Sequence, residues 1–224
     1  MIKVFVNKLF IHLKKYRISR AKKIDFKTKY GDTFENDVDQ LLHVLKDSTM
    51  LSKKRLISLY SHVVYCEKNK IDGDFVECGV WKGGSVALMA SANLKYGLYR
   101  RNIHLFDIFD DICAPDEKYD GIKAINETKK FVKNNSKNLK GIYEPYGGPG
   151  KLEENRDLLE KKISYPSSFL SYYVGWFEDT IPANSDKIKK IAILRLDSDW
   201  YHSTKISLEF LYKKVVKNGF VVID

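Results

Sequence analysis

The sequence predicts an α/β chain with a doubly wound parallel sheet. Three observations lead there. Apolar runs of strand length alternate with segments of helix length, the pattern of strand–helix–strand units. The first run, Asp74-Phe75-Val76-Glu77, passes through a glycine-rich turn into a helix start. Four of the five runs end in a carboxylate, at the strand edge where open α/β sheets bind ligands.

Residues 1–48 read as a basic arm and a helix. Ile2, Val4, Phe5, Leu9, Phe10, Ile11 and Leu13 are interrupted by Lys3, Lys8, Lys14 and Lys15, a run too short and too charged to span a membrane. No small-residue cleavage site follows it. The arm is expected to pack on the chain or on a second copy, so a homo-oligomer is the expected state. Contact with an anionic membrane surface, as an amphipathic helix, is the alternative. Two helices are expected over residues 32–70. Val38, Leu41, Leu42 and Leu45 give one apolar face, and Leu56, Leu59, Tyr60, Val63 and Val64 give another. Ser52 between them is a start signal. His43 and His62 are expected to pack or to face solvent. Residues 49–224 read as one ligand-binding domain.

The turn after the first strand runs Glu77-Cys78-Gly79-Val80-Trp81-Lys82-Gly83-Gly84-Ser85. Its glycines permit a tight turn and close approach of a ligand to the backbone. Ser85 is expected to cap the following helix, leaving free N–H groups toward the crevice. The spacing is near the dinucleotide fingerprint G-x-G-x-x-G, but Glu77 occupies the first glycine position. A carboxylate is a poor neighbour for a pyrophosphate and a good one for an ammonium group. S-adenosylmethionine is therefore expected rather than a nicotinamide dinucleotide.

The second strand ends in Asp107, where an acid would accept hydrogen bonds from a ribose. Residues 110–165 are polar and lysine-rich and contain Gly147-Gly148-Pro149-Gly150; a long segment beside a site is expected to act as a lid or a substrate loop. A third strand is expected over 169–174. Residues 191–197 form a nearly continuous apolar run, the sign of a parallel strand covered on both faces. A helix over 203–214 and a fifth strand over 219–224 complete the chain.

At 44 % hydrophobic and 30 % charged, the chain is not a disordered one. Its net charge of +10 comes from lysines spread along the sequence, so it reads as a solvated surface and no nucleic-acid partner is expected. Cys66, Cys78 and Cys113 have neither zinc spacing nor a disulfide framework, which fits a reducing cytoplasm.

The strand ends carry the expected chemistry. Glu77, Asp107, Asp197 and Asp224 should converge on one crevice, with Trp81, Trp176 and Trp200 near the same ends as aromatic walls. Asp197 and Asp224, on adjacent strands, would repel unless a cation lay between them, and hard oxygen ligands favour Mg²⁺ or Ca²⁺. Asp199 is expected to join them or to act as a base; His202 is the other candidate base near neutral pH.

Taken together, these stretches resemble the macrocin O-methyltransferase family of S-adenosylmethionine-dependent methyltransferases. The resemblance rests on the segment 73–85, Leu105-Phe106-Asp107-Ile108-Phe109, Gly175-Trp176-Phe177-Glu178-Asp179-Thr180, the segment 194–204 and Gly219-Phe220-Val221-Val222-Ile223-Asp224, in the family's order. It implies a Rossmann-like methyltransferase sheet. It implies that Glu77, Cys78, Gly79, Val80, Trp81, Lys82, Gly83, Ser85, Asp107 and Asp179 contact the cofactor, with Trp176 and Phe177 beside it. It implies that Asp197 and Asp224 hold Mg²⁺, with Asp197 near the acceptor hydroxyl. In the family a second Asp and further strands follow the last motif; here the sequence stops at Asp224, so the sheet is expected to be C-terminally incomplete.

The expected function is Mg²⁺-assisted methyl transfer to a sugar hydroxyl of a glycosylated metabolite or polysaccharide. Asp197, Asp199 and His202 are the expected catalytic residues, and the partner is a small-molecule or glycan acceptor. The alternative is a catalytically inactive fragment that binds a cofactor or a partner.

Overall fold

A computed structural model describes residues 33–132 and 138–224. Most of the basic arm, with its expected membrane or subunit contact, lies outside the described residues. Helices α1 (Thr33–Leu45) and α2 (Lys53–Lys68) precede β1 (Asp74–Cys78), α3 (Gly84–Tyr96) and β2 (Ile103–Asp107). Then come α4 (Gly121–Thr128), α5 (Leu152–Arg156), β3 (Leu170–Val174), α6 (Phe177–Asn184), β4 (Ile191–Leu196), α7 (Tyr201–Leu211) and β5 (Val215–Ile223). The strand order is β3-β2-β1-β4-β5, and every pairing is parallel. The order reverses direction between β1 and β4, which opens a crevice at their carboxyl ends.

Alternation along the strands divides the core in two. Phe75, Ile103, Leu105 and Ile193 face α1, α2 and α3, whereas Val76, Phe106, Leu194 and Leu196 face α6 and α7. Every residue of β4 is buried, as the apolar run predicted. Full burial of each of its Ile and Leu side chains contributes about 1.5–3 kcal/mol. Phe34, Val38 and Leu45 of α1 share the core of α2 and α3. Asp37 of α1 also accepts from Tyr60, Tyr96 and Lys95.

Ser52 caps α2, its hydroxyl accepting from the Arg55 amide. The expected cap at Ser85 is corrected: the N-cap lies two residues earlier, at Gly83 in the left-handed region, with no side-chain cap bond. Fixed φ of this sign favours glycine. The fifth strand begins at Val215 rather than at residue 219. A register shift between Ile191 and Ile193 absorbs the extra residues, with Asn218 at a φ of 65°.

At the amino ends of the strands, Arg101 is buried beneath α2. Its Nε donates to Glu67 Oε1 at 2.6 Å, and Nη2 donates to Glu67 Oε2 at 3.3 Å and to the Ile71 carbonyl at 2.6 Å. The Gly73 carbonyl accepts from Nη1. Asn93 Nδ2 donates to Glu67 Oε1, and the Tyr165 hydroxyl accepts from the Arg101 amide.

Candidate functional site

Glu77, next to last in β1, has no exposed surface. Its Oε1 accepts from the Ser85 hydroxyl and from Arg195 Nη1. Its Oε2 has no hydrogen-bond partner among the described residues. Burial pushes the Glu77 carboxyl up to about 7, against the pull of Arg195 and Ser85. Ser85 thus binds a buried carboxylate from inside α3 instead of capping the helix.

The glycine turn folds around Asp107. One carboxylate oxygen accepts from the Val80 and Trp81 amides at 2.5 and 3.0 Å, and the other accepts from the Phe109 amide at 2.7 Å. Burial raises the Asp107 carboxyl, and these amides oppose the rise. Trp81 itself sits at a φ of 48°, where a non-glycine residue is uncommon. A Cβ at Gly79 would lie 2.1 Å from the Asp197 carbonyl oxygen, so the close approach that requires this glycine is by the chain's own backbone.

The crevice, of about 150 Å³, is lined by Gly79, Trp81, Asp107, Trp176, Phe177, Asp197, Asp199 and Trp200 among others. All three tryptophans therefore meet at one site. Cys78 points away into the second core, where burial pushes its thiol up to about 12. Val80 is buried in the first core. Lys82 ties the turn to the segment above it, donating to the Tyr146 and Gly147 carbonyls. Gly83 packs on Asn155, whose Oδ1 would lie 2.3 Å from an added Cβ. Asp179 is exposed on the first turn of α6, away from the crevice lining.

Asp199 opens onto the crevice. Its side chain keeps solvent-exposed surface, yet the crevice walls on its inner side, and then the charge of Asp197, push its carboxyl up to about 6. His202 faces a neighbouring recess of about 540 Å³ instead, with Nε2 3.4 Å from Asp116 Oδ2. That recess shares Cys113, Trp200 and Ser203 with the crevice. Tyr119 and Tyr201 stack beside His202 at 4.7 Å between ring centroids.

Asp197 and Asp224 converge as expected, but the cation between them is Arg195. Its Nη2 donates to Asp197 Oδ2 at 2.9 Å and to Asp224 Oδ2 at 2.5 Å. The second oxygen of Asp224 pairs with Arg55 at 3.0 Å. Among the described residues no group of three or more His, Cys, Asp or Glu side chains could hold a metal ion. With both oxygens of Asp224 engaged by arginines, this donor set does not fit the expected magnesium site.

Sequence reasoning missed three residues. Arg195 lies inside the most apolar strand, and that context was itself the signal, because a charge in a doubly covered strand requires partners. Tyr143, from the polar stretch 110–165, lines the crevice beside Trp81. Its hydroxyl is raised by burial and by the neighbouring charges of Asp199, Asp107 and Asp197. Asn155 is buried and donates to the Trp81 carbonyl at 2.7 Å. Nothing in the local sequence marks Tyr143 or Asn155.

Comparison with known proteins bears on this site. The family profile described as Macrocin-O-methyltransferase (TylF) matches residues 9–224. Demethyldecarbamoylnovobiocin O-methyltransferase from Streptomyces niveus is 31% identical over 176 residues, covering 79% of this chain and 61% of the relative. From Streptomyces olivaceus, 8-demethyl-8-(2,3-dimethoxy-alpha-L-rhamnosyl)-tetracenomycin-C 4'-O-methyltransferase is 29% identical, covering 79% and 61%. The chain spans less than two thirds of the length of these relatives. The solved structure of the O-methyltransferase NovP matches with a TM-score of 0.63 at 29% identity, covering 79% of this chain and 66% of that one.

Proposed function

The chain belongs to the macrocin O-methyltransferase family, and from that premise we propose that it is an S-adenosylmethionine-dependent O-methyltransferase acting on a sugar hydroxyl of a glycosylated metabolite or polysaccharide. One observation carries the cofactor reading. A carboxylate with no exposed surface keeps one oxygen unpartnered at the end of β1, beside a turn shaped by glycines. Leaving such a group unsatisfied costs about 1–3 kcal/mol or more. An ammonium group satisfies it, and a pyrophosphate does not.

When bound, S-adenosylmethionine supplies an activated methyl group. Trp81, Trp176 and Phe177 supply apolar walls for its flat ring, and Asp107 holds the turn in shape through the Val80 and Trp81 amides. Asp199, poised near pH 6, takes the proton of the acceptor hydroxyl as that oxygen bonds to the methyl carbon and the carbon–sulfur bond breaks. The products are the methyl ether and S-adenosylhomocysteine. Asp197 orients the hydroxyl and carries no proton in this scheme. Most of the rate comes from positioning, because the donor is already activated. No step is routed through magnesium, since both oxygens of Asp224 are engaged by Arg195 and Arg55.

The acceptor side is the adjoining recess. Trp200 and His202 offer ring faces in it, and Asp116, Asp120 and Glu178 offer acceptors for hydroxyl groups. A cytoplasmic setting agrees with Cys66, Cys78 and Cys113 all being free thiols.

Titration calorimetry with S-adenosylhomocysteine and with NAD tests the cofactor reading. A single site for S-adenosylhomocysteine is expected. Binding of NAD with none of S-adenosylhomocysteine would overturn it. Methyl transfer from S-adenosylmethionine to a glycosylated acceptor then separates an enzyme from an inactive cofactor-binding protein.

A further inference from the structure

Among the described residues, the crevice lining brings together the carboxylates of Asp107, Asp110, Asp197 and Asp199 and no lysine, arginine or histidine, in a chain of net charge +10. Three of these carboxylates are compensated inside the protein. Asp107 accepts from the Val80, Trp81 and Phe109 amides. Asp110 pairs with Lys151 at 3.1 Å and accepts from the Asp111 amide at 2.9 Å. Asp197 accepts from Arg195 at 2.9 Å. Asp199 differs. Among the described residues no ion pair and no hydrogen bond from another residue reaches its side chain, and its own amide is its donor. The crevice therefore holds one carboxylate whose charge the protein leaves uncompensated.

The proposed reaction fixes what stands opposite that carboxylate. The acceptor oxygen that gives its proton to Asp199 is the oxygen that attacks the methyl carbon. A proton passes over about 2.6–3.2 Å and reacting atoms approach to about 3–3.5 Å, so the sulfonium sulfur stands within roughly 8 Å of the carboxylate. Opposite charges at that separation attract across a partly open crevice, most strongly in low salt. We propose that Asp199 is also the charge-selecting residue of the crevice: its carboxylate favours the sulfonium donor over the uncharged thioether product. This rests on reading the crevice as an S-adenosylmethionine site with Asp199 as the base. The transfer step then discharges the pair from both sides. The acceptor proton moves to Asp199, an oxygen lone pair forms the carbon–oxygen bond, and the electrons of the carbon–sulfur bond stay on sulfur. A carboxylate facing a sulfonium becomes a carboxylic acid facing a thioether. The attraction that held the donor is gone before the product leaves.

The test uses two ligands on the whole chain. Sinefungin carries a protonated amine on the carbon that replaces the sulfonium, and S-adenosylhomocysteine has a neutral sulfur there. Both carry the same nucleoside and the same amino-acid ammonium group, so the remainder of the site meets them alike. Calorimetry in neutral, low-salt buffer gives the ratio of the two affinities. Asp199→Asn keeps the shape of the side chain and removes its charge. The ratio of sinefungin to S-adenosylhomocysteine affinity is expected to fall about five-fold in that variant, the upper range for an ion pair open to water, with S-adenosylhomocysteine itself within about two-fold of wild type. Asp110→Asn is the control. It removes a lining carboxylate that Lys151 already compensates, and the ratio should stay within about two-fold of wild type. An unchanged ratio in Asp199→Asn, or an equal fall in Asp110→Asn, overturns the assignment of charge selection to Asp199 while leaving the cofactor reading intact. Failure of wild type to bind either ligand overturns both.

Discussion

Two buried arginines stand at opposite ends of the sheet and are compensated in opposite ways. Arg101, at the amino ends, meets a single carboxylate, Glu67, in a bidentate pair, and its remaining donors reach the Gly73 and Ile71 carbonyls. Charge and hydrogen bonding both close. Arg195, at the carboxyl ends, meets three carboxylates, and one oxygen of Glu77 stays unpartnered. The first arrangement has nothing left to bind. The second retains excess negative charge and an unused acceptor two residues before Gly79 of the crevice lining, and we read that unsatisfied chemistry as the mark of the functional end.

The sharpest way to break this comparison is to neutralise each glutamate in turn. Glu67→Gln leaves Arg101 buried without a counter-charge, and urea denaturation should show a loss of about 3–5 kcal/mol. Glu77→Gln leaves Arg195 with two carboxylates, and because burial already favours the neutral form of Glu77, the loss should stay within about 1 kcal/mol. Equal losses would mean that both arginines are structural.

The next effect is catalytic. Asp199→Asn should lower kcat by roughly 100-fold, the lower range for loss of a general base. In wild type kcat/KM should rise with pH through about 6, the position to which Asp199 is pushed, and the variant should lack that limb. A rising limb that persists in the variant assigns the proton to another group.

A smaller effect concerns stability. The carboxyl of Asp199 titrates near its ordinary 3.8 when unfolded and at about 6 when folded. Between these values the folded chain holds a proton that the unfolded chain has released. Stability from this group is therefore full below pH 4 and falls as pH rises to 6, beyond which the slope vanishes. Comparing denaturation midpoints of wild type and Asp199→Asn across that window isolates the slope; the opposite sign would show the carboxyl to be lowered, not raised. The smallest expected effect is that of magnesium. Arg195 already stands between Asp197 and Asp224, so millimolar magnesium chloride should move Tm no further than sodium chloride at equal ionic strength. A specific rise that Asp197→Asn removes would restore the metal.

Much of the fold was legible because its signals are local. The alternation of strands and helices, the Ser52 cap and the glycine turn each depend on a few neighbouring residues. The meeting of Trp81, Trp176 and Trp200 was legible too, since strand ends of a parallel sheet share one edge. What escaped depends on burial and direction. The role of Ser85 changed because a buried carboxylate eight residues earlier competes for its hydroxyl. The helix expected from residue 203 starts at Tyr201, and its first turn aims His202 at Asp116. Arg195 was hidden by the apolar residues around it, so the sequence reading of Asp197 and Asp224 was made without that guanidinium. Tyr143 and Asn155 belong to a segment whose course is set by contacts with the turn, including Lys82 and Trp81, rather than by its own periodicity.

The most direct test of the account is the ligand preference of Glu77→Gln. Calorimetry should show wild type binding S-adenosylhomocysteine at one site. The variant should bind it about 10-fold more weakly, the loss of roughly one charge-assisted hydrogen bond, while 5′-methylthioadenosine binds both proteins alike. Undiminished S-adenosylhomocysteine binding by the variant would contradict the assignment of the buried carboxylate to the donor's ammonium group.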